Sequence, residues 1–349
     1  MSNISTNNQH RHLCNHYHTQ PQQFNYISQR QQSQQQQQQW QWYASEIRPK
    51  IVQVTEHSVS SALAEDGYYI GSTIGQGSYS KVKMALKLQP DRTMKRVACK
   101  LIDKRRASNG SYIRKFLPRE LEVLRIVRHP NIVNTHKIFI TPSSVYVFMD
   151  YCEKGDLLNY IQKTRGLPQW QAHSFFKQLC GAVDYLHRND ISHRDIKCEN
   201  VLLESLRHIK LTDFGFTRFC VDERSRQVLS QTYCGSSSYA APEVLQGIPY
   251  NPKLYDVWAL GVVLYIMLGN VMPYPHSDRS KIVANQLAKK LYQPRKLIPR
   301  EALKLIGNIL EPDVKKRAVL GQIMNHTWYK QNPLHITKEE FNNVKQHNV

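Results

Sequence analysis

Four residues in the stretch Ile191–Gly215 have side chains that could do chemistry together. Asp195 and Asp213 are acidic, and Lys197 and Asn200 lie between them. An amide oxygen and a carboxylate oxygen both suit a hard divalent cation, so Asn200 and Asp213 could hold one between them. The carboxylate of Asp195 would then be left for a separate task.

The residues between these groups predict the elements that position them. Val201–Leu203 and Ile209–Leu211 are mostly apolar, and Glu204–His208 between them is turn-like. A hairpin of these two segments would bring Asn200 and Asp213 to the same end of two paired strands. The sequence therefore predicts a loop, a short hairpin and a second loop that bring an amide and a carboxylate together.

The order of these groups resembles the signature of the protein kinase family. The resemblance is carried by His193-Arg194-Asp195, Asn200, Asp213-Phe214-Gly215 and Ala241-Pro242-Glu243. It implies an α+β, bilobal fold with a small β-rich N-lobe and a larger α-helical C-lobe, and it implies ATP and Mg²⁺ as cofactors. Asp195 would be the catalytic base, Lys197 a donor to the transferring phosphate, and Asn200 and Asp213 the magnesium ligands. Lys197 two residues after Asp195 resembles serine/threonine kinases and not tyrosine kinases.

The chain before this region reads as strands that would cover a nucleotide. YYIGSTIG, KVKMALKL and RVACKLI have strand character, and Gly75 and Gly77 would let backbone N–H groups approach a triphosphate. The family pattern has a third glycine where this chain has Ser80, so we expect a stiffer loop that still covers the phosphates. The resemblance implies nucleotide contacts from Ile74, Gly75, Gln76, Gly77, Ser78, Tyr79, Ser80, Lys81, Val82, Ala98 and Leu202.

Lys100 closes the third strand and would project towards the nucleotide, where a buried ammonium needs partners. A helix over 116–127 is predicted from apolar residues at helical spacing. Glu120 lies beside that apolar stripe, whereas Glu122 lies further towards solvent. We therefore expect Glu120 to pair with Lys100, the alternative being that Glu120 is an ordinary surface charge.

The strand Ser144–Asp150 leads into a connector that the resemblance identifies as the hinge between the lobes. Met149 would guard the back of the nucleotide pocket, and Asp150 and Cys152 would contact the adenine edge through their backbones. Asp156 would meet the ribose or a basic substrate side chain. Beyond the hinge, helices dominate, and we expect Phe214 to pack under the helix that carries Glu120.

The segment between Asp213 and Glu243 resembles an activation segment. Thr232 is the expected phosphorylation site, and Arg194 and Arg218 are the expected receivers of its phosphate. Ser230 and Ser237 are competing sites for that phosphate. Two further contacts are expected from the resemblance: Ser236 would brace Asp195 and Lys197, and Glu243 would pair with Arg317.

Longer stretches narrow the resemblance. VLSQTYCGSSSYAAPEVLQGIPYNPKLYDVWALGVVLYIML, KFLPRE and HRDIKCENVLL are similar to the testis-specific serine/threonine kinases of the calmodulin-dependent kinase group, over residues 68–328. This implies a role in sperm formation or function. It also implies protein substrates with serine or threonine and an upstream arginine that Asp156 and Glu199 would favour. An upstream activating kinase and a chaperone are further expected partners, and we expect a monomer.

The net charge of +20 is almost entirely carried by residues 67–328, so it belongs to the expected catalytic domain. Such a charge attracts phosphorylated ligands, acidic proteins, nucleic acid and anionic membranes. A well-solvated basic surface explains it better than a nucleic-acid site, because Lys and Arg are not clustered with aromatic residues. Two rival functions remain at this level: a pseudokinase acting as a scaffold or regulatory binding protein, and a basic nucleic-acid-binding module.

Composition also suggests compartment and boundaries. Seven dispersed cysteines without a CxxC pair favour a reducing, cytoplasmic environment. The longest strongly apolar run, Val257–Leu268, is shorter than the about 20 residues that span a bilayer, so no membrane association is expected.

We expect residues 1–66, rich in Gln and His, to be disordered. The kinase domain would span 67–328, with an N-lobe to 149, a hinge over 150–156, and a polar tail from 329.

Overall fold

The computed structural model describes residues 48–77, 80–106, 114, 116–222, 224–232 and 234–331. The chain divides into two compact units, residues 1–48 and 49–349, and the fold described below belongs to the second. Ser78 and Tyr79 of the predicted nucleotide loop lie outside the described residues. So do most of the expected N-terminal tail and all but the first residues of the C-terminal one.

The N-lobe is a mixed six-stranded sheet. Its strands are β1 (Lys50–Gln53), β2 (Tyr68–Gln76), β3 (Ser80–Leu88), β4 (Met94–Asp103), β5 (Thr135–Ile140) and β6 (Ser144–Asp150), in the order β1-β5-β6-β4-β3-β2. The predicted strands after Tyr68 are confirmed within a few residues. The turn between β3 and β4 forms because the Asp91 carboxylate accepts the backbone N–H of Thr93 at 2.9 Å.

The expectation that order begins near Gly67 is wrong. β1 pairs in parallel with β5, and a helix, α1 (Val59–Glu65), follows it. Leu63 of α1 packs in a second buried cluster with Tyr68, Phe139 and Phe148, and Tyr68 stacks on Phe148 at 4.0 Å between ring centroids. Sequence reasoning missed this segment because its few apolar residues find their partners far along the chain.

The sheet is consequently buried on both faces at β4, β5 and β6, whereas most residues of β2 remain exposed. Side chains alternate along a strand, so Val145 and Val147 of β6 join the main core while Phe148 joins the second cluster. A helix, α2 (Leu117–Ile126), contributes Leu117, Val123 and Leu124 to the main core. Strands that are apolar on both alternating faces are typical of sheets covered on both sides, and α1 supplies the second cover.

The C-lobe is helical, as expected. Its helices are α3 (Leu157–Thr164), α4 (Gln169–Arg188), α5 (Pro242–Leu245), α6 (Pro252–Gly269), α7 (Arg279–Leu287), α8 (Arg300–Ile309), α9 (Leu320–Asn325) and α10 (Thr327–Lys330). Its short strands are β7 (Ile191–Ser192), β8 (Val201–Ser205), β9 (His208–Leu211) and β10 (Arg218–Phe219). β8 and β9 form the predicted antiparallel hairpin, and β10 pairs with β7.

Helix α6 is the central helix of this lobe. It has 18 residues, which makes it long and apolar enough to cross a membrane by length and composition alone. However, 89% of that window is buried inside the fold. Such burial on all faces is typical of the core helix of a large helical domain, so α6 acts here as the core around which α4 and α8 pack.

Candidate active site

The carboxylate of Asp195 is held in a buried loop by three neighbouring residues. Asn200 Nδ2 donates to Asp195 Oδ2 at 2.9 Å, and Lys197 Nζ lies 2.8 Å from the same oxygen. The backbone N–H of Ser236 donates to Asp195 Oδ1 at 3.2 Å. Lys197 Nζ also lies 3.1 Å from Ser236 Oγ, so the predicted contacts of Ser236 are confirmed. These contacts fix the orientation of the carboxylate.

Gly235 allows Ser236 to approach this loop so closely. Its φ of +85° is one that L side chains rarely adopt, and a Cβ there would lie 2.6 Å from the carbonyl oxygen of Arg194. The hydroxyl of Tyr255 donates to the carbonyl oxygen of Cys234 at 3.2 Å and holds the preceding residue. A side chain at 235 would therefore push the activation segment away from Asp195.

Asp256 of α6 anchors the loop from below. Its carboxylate is fully buried and accepts the backbone N–H of His193 at 2.9 Å and that of Arg194 at 2.7 Å. It also accepts from Ser192 Oγ at 2.8 Å and lies 2.9 Å from His187 Nε2. Burial opposes ionisation, but the hydrogen bonds and the nearby histidines lower the pKa of Asp256 overall. Sequence reasoning missed this residue, although a lone acid within an apolar helix is itself a signal.

Lys100 forms ion pairs with one acid from each lobe. Its Nζ lies 2.7 Å from Glu120 Oε1 and 2.8 Å from Asp213 Oδ1. Glu120 is buried on α2, which confirms the predicted pair and rules out the alternative of a surface charge. The nearby positive charge of Lys100 is the main cause that lowers the pKa of Asp213 to about 2. The ion pair therefore keeps Asp213 ionised to a lower pH than an unperturbed aspartate.

The Asp213-Phe214-Gly215 turn has a definite orientation. Asp213 has a φ of +64°, a left-handed conformation that is uncommon for residues other than glycine and often found at functional sites. Phe214 is buried in the same cluster as Leu124 of α2, and its ring meets that of His193 edge-on at 5.2 Å. The turn thus directs Asp213 towards Lys100 and directs Phe214 into the core.

A cavity of about 500 Å³ lies between the sheet of the N-lobe and the β8–β9 hairpin. It is lined by predicted nucleotide residues from the loop, the sheet, the hinge and the hairpin: Ile74, Gly75, Gln76, Gly77, Ser80, Val82, Ala98, Lys100, Glu120, Met149, Asp150, Cys152, Asp156, Leu202 and Asp213. Lys81 does not line it, because successive residues of a strand face opposite sides. The backbone N–H of Gly77 donates to the carbonyl oxygen of Ser80 at 2.8 Å, which closes the loop at the position of the missing third glycine.

The hinge is held by charges behind it. The carboxylate of Asp150 lies 2.7 Å from Lys210 Nζ and 3.0 Å from His136 Nε2. Burial would raise the pKa of Asp150, but these two partners lower it well below its usual range. Burial raises the pKa of the Cys152 thiol to about 12, so this hinge cysteine is a protonated, packed side chain.

The two acids expected near a basic substrate residue already have partners in the structure. Asp156 caps α3 by accepting the backbone N–H of Asn159 at 2.8 Å. Glu199 Oε2 accepts the hydroxyl of Tyr239 at 3.0 Å. Both also line the cavity. Each carboxylate is therefore oriented by the fold at one side of the opening.

The activation segment meets a group of arginines. Arg194 Nη1 donates to Ser230 Oγ at 3.0 Å, so the hydroxyl at this arginine belongs to Ser230, two residues before Thr232. Arg218 is partly buried, and its pKa is lowered by that burial and then by the charges of Arg194 and Arg119. Arg119 on α2 is thus a third cation of this group, which sequence reasoning missed because it lies far from the others in the chain.

Glu243 and Arg317 form the predicted link inside the C-lobe. Arg317 donates through Nη1 and Nη2 to the two oxygens of Glu243, at 2.7 and 2.9 Å. Both side chains are buried, and Arg317 also donates to the carbonyl oxygen of Glu311 at 2.9 Å. This bidentate pair fixes the end of the activation segment to the helices beneath it.

Comparison with known proteins agrees with this geometry. The sequence model of the protein kinase domain family matches residues 68–329. The chain belongs to the protein kinase family. It is 46% identical to testis-specific serine/threonine-protein kinase 1 of Mus musculus over 273 residues, which cover 77% of this chain and 73% of that protein.

Two further relatives are informative about coverage. Testis-specific serine/threonine-protein kinase 3 of Mus musculus is 40% identical over 267 residues, or 76% of this chain and 97% of that protein. The SNF1-related protein kinase catalytic subunit alpha KIN12 of Arabidopsis thaliana is 34% identical over 280 residues, which cover 80% of this chain and 55% of that protein. The resemblance to testis-specific kinases is therefore confirmed, and β1 and α1 precede the residues that the kinase model matches.

Proposed function

We propose that this protein kinase transfers the γ-phosphate of ATP to serine and threonine hydroxyls of proteins and uses Mg²⁺. The observation that carries the proposal is the arrangement around Asp195. Its buried carboxylate is oriented by Asn200, Lys197 and Ser236, beside the cavity in which Lys100 pairs with Glu120 and Asp213. A positioned base next to a cationic cavity suits phosphoryl transfer, which depends on orientation and charge stabilisation.

Asn200 and Asp213 each have an oxygen atom that could bind a magnesium ion. Asn200 Nδ2 is used by the carbonyl and carboxylate oxygens of Asp195, at 2.8 and 2.9 Å, so its carbonyl oxygen is the atom left to accept. Asp213 is ionised at neutral pH, as an aspartate ordinarily is, and its ion pair with Lys100 lowers its pKa further, to about 2. An amide oxygen and a carboxylate suit Mg²⁺, so Asn200 and Asp213 are the residues that would hold it.

The roles of the chain's residues follow from their contacts. Lys100 would hold nucleotide phosphates, and Glu120 keeps its ammonium in place. Asp195 would orient the substrate hydroxyl and accept its proton, while Lys197 would donate to the phosphate in transfer. When bound, ATP would supply the phosphoryl group, and Mg²⁺ would supply positive charge to stabilise it. Met149 and the backbone of Asp150 and Cys152 would form the adenine contacts.

We further propose a preference for arginine upstream of the target residue. Asp156 and Glu199 are both acids at the cavity's edge, and each is held in place by a hydrogen bond to its own lobe. A guanidinium forms strong charge-assisted hydrogen bonds with such carboxylates. Phosphorylation of Thr232 by an upstream kinase would raise activity, with Arg194, Arg218 and Arg119 as the basic group that attracts the phosphate.

The relatives' names lead to the biological proposal. Several of the most similar proteins are called testis-specific kinases, and we propose that this kinase acts in the cytoplasm of male germ cells during sperm formation, as a monomer. A scaffold without activity, the rival interpretation of the sequence, would not require the ion pair of Asp213 with Lys100 or the oriented carboxylate of Asp195.

Transfer of radiolabelled phosphate from ATP to peptides tests the proposal. Three peptides of one sequence should carry serine, threonine or tyrosine at the target position, and a fourth should replace the upstream arginine of the serine peptide by alanine. We expect label on serine and threonine only, and weaker label without the arginine. Label on the tyrosine peptide alone, or none on any peptide with Mg²⁺ present, would contradict the proposed activity. Equal label with and without the arginine would contradict the preference alone.

A further inference from the structure

Ser230 occupies an unusual place for a serine of an activation segment. It is 0% exposed, and its hydroxyl accepts from Arg194 Nη1 at 3.0 Å. Its backbone N–H donates to the carbonyl oxygen of Tyr250 at 2.8 Å, and its carbonyl oxygen accepts from the N–H of Tyr250 at 2.9 Å. Side chain and backbone are thus both fixed, the first to the catalytic loop and the second to the segment before α6.

Arg194 reaches the other end of the activation segment with the same side chain. Its Nε donates to the carbonyl oxygen of Phe216 at 2.8 Å, next to the Asp213-Phe214-Gly215 turn. Its own backbone N–H is held by Asp256 at 2.7 Å. A single buried arginine therefore joins the start of the segment, its later part at Ser230, and the loop that carries Asp195.

The acceptors of this guanidinium are neutral. Among the ion pairs of the described residues, none includes Arg194, although the guanidinium is buried and Arg218 lies near enough for the two charges to interact. Burying a cation is costly unless its donors are satisfied. The hydroxyls of Ser230 and Tyr250 and the carbonyl of Phe216 supply that satisfaction without a negative charge.

We propose that Ser230 is a positioning residue that docks the activation segment onto Arg194 before any phosphate is present on Thr232. The proposal rests on the kinase activity proposed above and adds a phosphate-independent contact that supports it. Ser230 acts through Arg194 and does not touch the reacting atoms. A phosphate on Thr232 would supply charge to the same group of arginines, so the hydroxyl of Ser230 matters most in the unphosphorylated enzyme.

The contact also argues against Ser230 as the phosphorylated residue itself. Its hydroxyl is buried, and both of its backbone groups are already bonded to Tyr250. An upstream kinase would have to open this bridge to reach the hydroxyl, whereas Thr232 is partly exposed. A neutral hydroxyl at Arg194 is the arrangement that the geometry favours.

The test compares full-length wild type with Ser230→Ala, Ser230→Thr and Ser225→Ala after phosphatase treatment checked by mass spectrometry. Ser225 is an exposed serine of the same segment and serves as the matched control. We expect Ser230→Ala to lower kcat at least about tenfold, the effect of losing a hydrogen bond to a charged group, with KM for ATP nearly unchanged. Ser230→Thr, which keeps the hydroxyl, and Ser225→Ala should retain wild-type kcat.

A second measurement reads the docking without using activity. Trypsin cleavage after the exposed Arg224 should be faster in Ser230→Ala than in Ser230→Thr, because the segment is released. In addition, Ser230→Ala should lower kcat much less in an Arg194→Met background than in wild type, since the hydrogen bond between Arg194 and Ser230 is already absent there.

The outcomes separate the two proposals. If wild type and Ser230→Ala had the same kcat, the proposed role of Ser230 would be wrong, while the kinase activity would stand. The same conclusion would follow if the effects of Ser230→Ala and Arg194→Met on kcat were additive. Phosphate found on Ser230 in the active enzyme would overturn the role of Ser230 as well. Absence of transfer by wild type would overturn the kinase activity on which the role rests.

Discussion

Lys100 and Glu120 form an ion pair of 2.7 Å that connects β4 to α2 across the back of the cavity. Glu120 is buried, whereas Glu122, two residues later and on the opposite side of the helix, is exposed. The pair depends on the position of α2, so it couples the placement of a whole helix to the placement of one ammonium group.

Glu120→Gln should raise the KM for ATP and lower kcat/KM about 10- to 100-fold, because a hydrogen bond to a charged group is lost. Glu122→Gln, on the same helix, should change neither. Steady-state kinetics with varied ATP measure both variants. Equal effects of the two substitutions would mean that the pair does not position Lys100.

The ionisation of Asp213 predicts a pH dependence of stability. Its pKa in the folded chain is about 2, below the 3.8 of an unperturbed aspartate, chiefly because of Lys100. The ionised group therefore adds stability that is complete above pH 3.8 and is lost as the pH falls from there through about 2. Urea unfolding should show wild type losing more stability than Asp213→Asn as the pH is lowered into this window. Parallel losses in the two proteins would contradict the assignment.

The buried pair of Glu243 and Arg317 should matter for stability more than any surface pair. Glu243→Gln leaves a buried arginine without its counter-charge, which costs about 3–5 kcal/mol of unfolding free energy. Glu301→Gln, which breaks an exposed pair with Lys304, should cost about 1 kcal/mol or less. Denaturant unfolding of the two variants measures the contrast. Similar small losses would show that the bidentate link is not needed by the fold.

How far the sequence predicts this molecule depends on how local each signal is. The Asp195 loop, Asn200 and the Asp213 turn lie within one short stretch, and their roles can be assigned from order and spacing. The hairpin follows because its two apolar runs are separated by a turn. Glu120 could be chosen over Glu122 because the apolar stripe of the helix fixes which side is buried.

Other features arise only when distant segments meet. The orienting role of Asp256 depends on α6 passing beneath the catalytic loop, so an acid in an apolar helix signals a buried role without showing which groups it binds. Ser230 and Arg194 are neighbours only because the activation segment folds back over the lobe. The few apolar residues of α1 pack against Phe139 and Phe148, which lie far along the chain, so the sequence near α1 does not reveal this contact.

The packing of α1 against the N-lobe sheet predicts that this helix contributes to the stability of the fold. Leu63 of α1 is 7% exposed and packs on the second cluster, so Leu63→Ala in the full chain should cost about 2–5 kcal/mol. Leu297, which is 94% exposed, offers a matched leucine whose replacement by alanine should cost little. Thermal or urea unfolding distinguishes them. If Leu63→Ala unfolded like Leu297→Ala, residues 50–66 would not be an integral part of the kinase fold.

The central claim is that Asp195 is the base that faces the substrate hydroxyl. Transfer of radiolabelled phosphate from ATP to an arginine-containing serine peptide should be compared for wild type and Asp195→Asn, with binding of a fluorescent ATP analogue measured in parallel. We expect the variant to bind nucleotide as wild type does and to transfer phosphate about 10²- to 10⁴-fold more slowly. Equal incorporation by the two proteins would contradict the account.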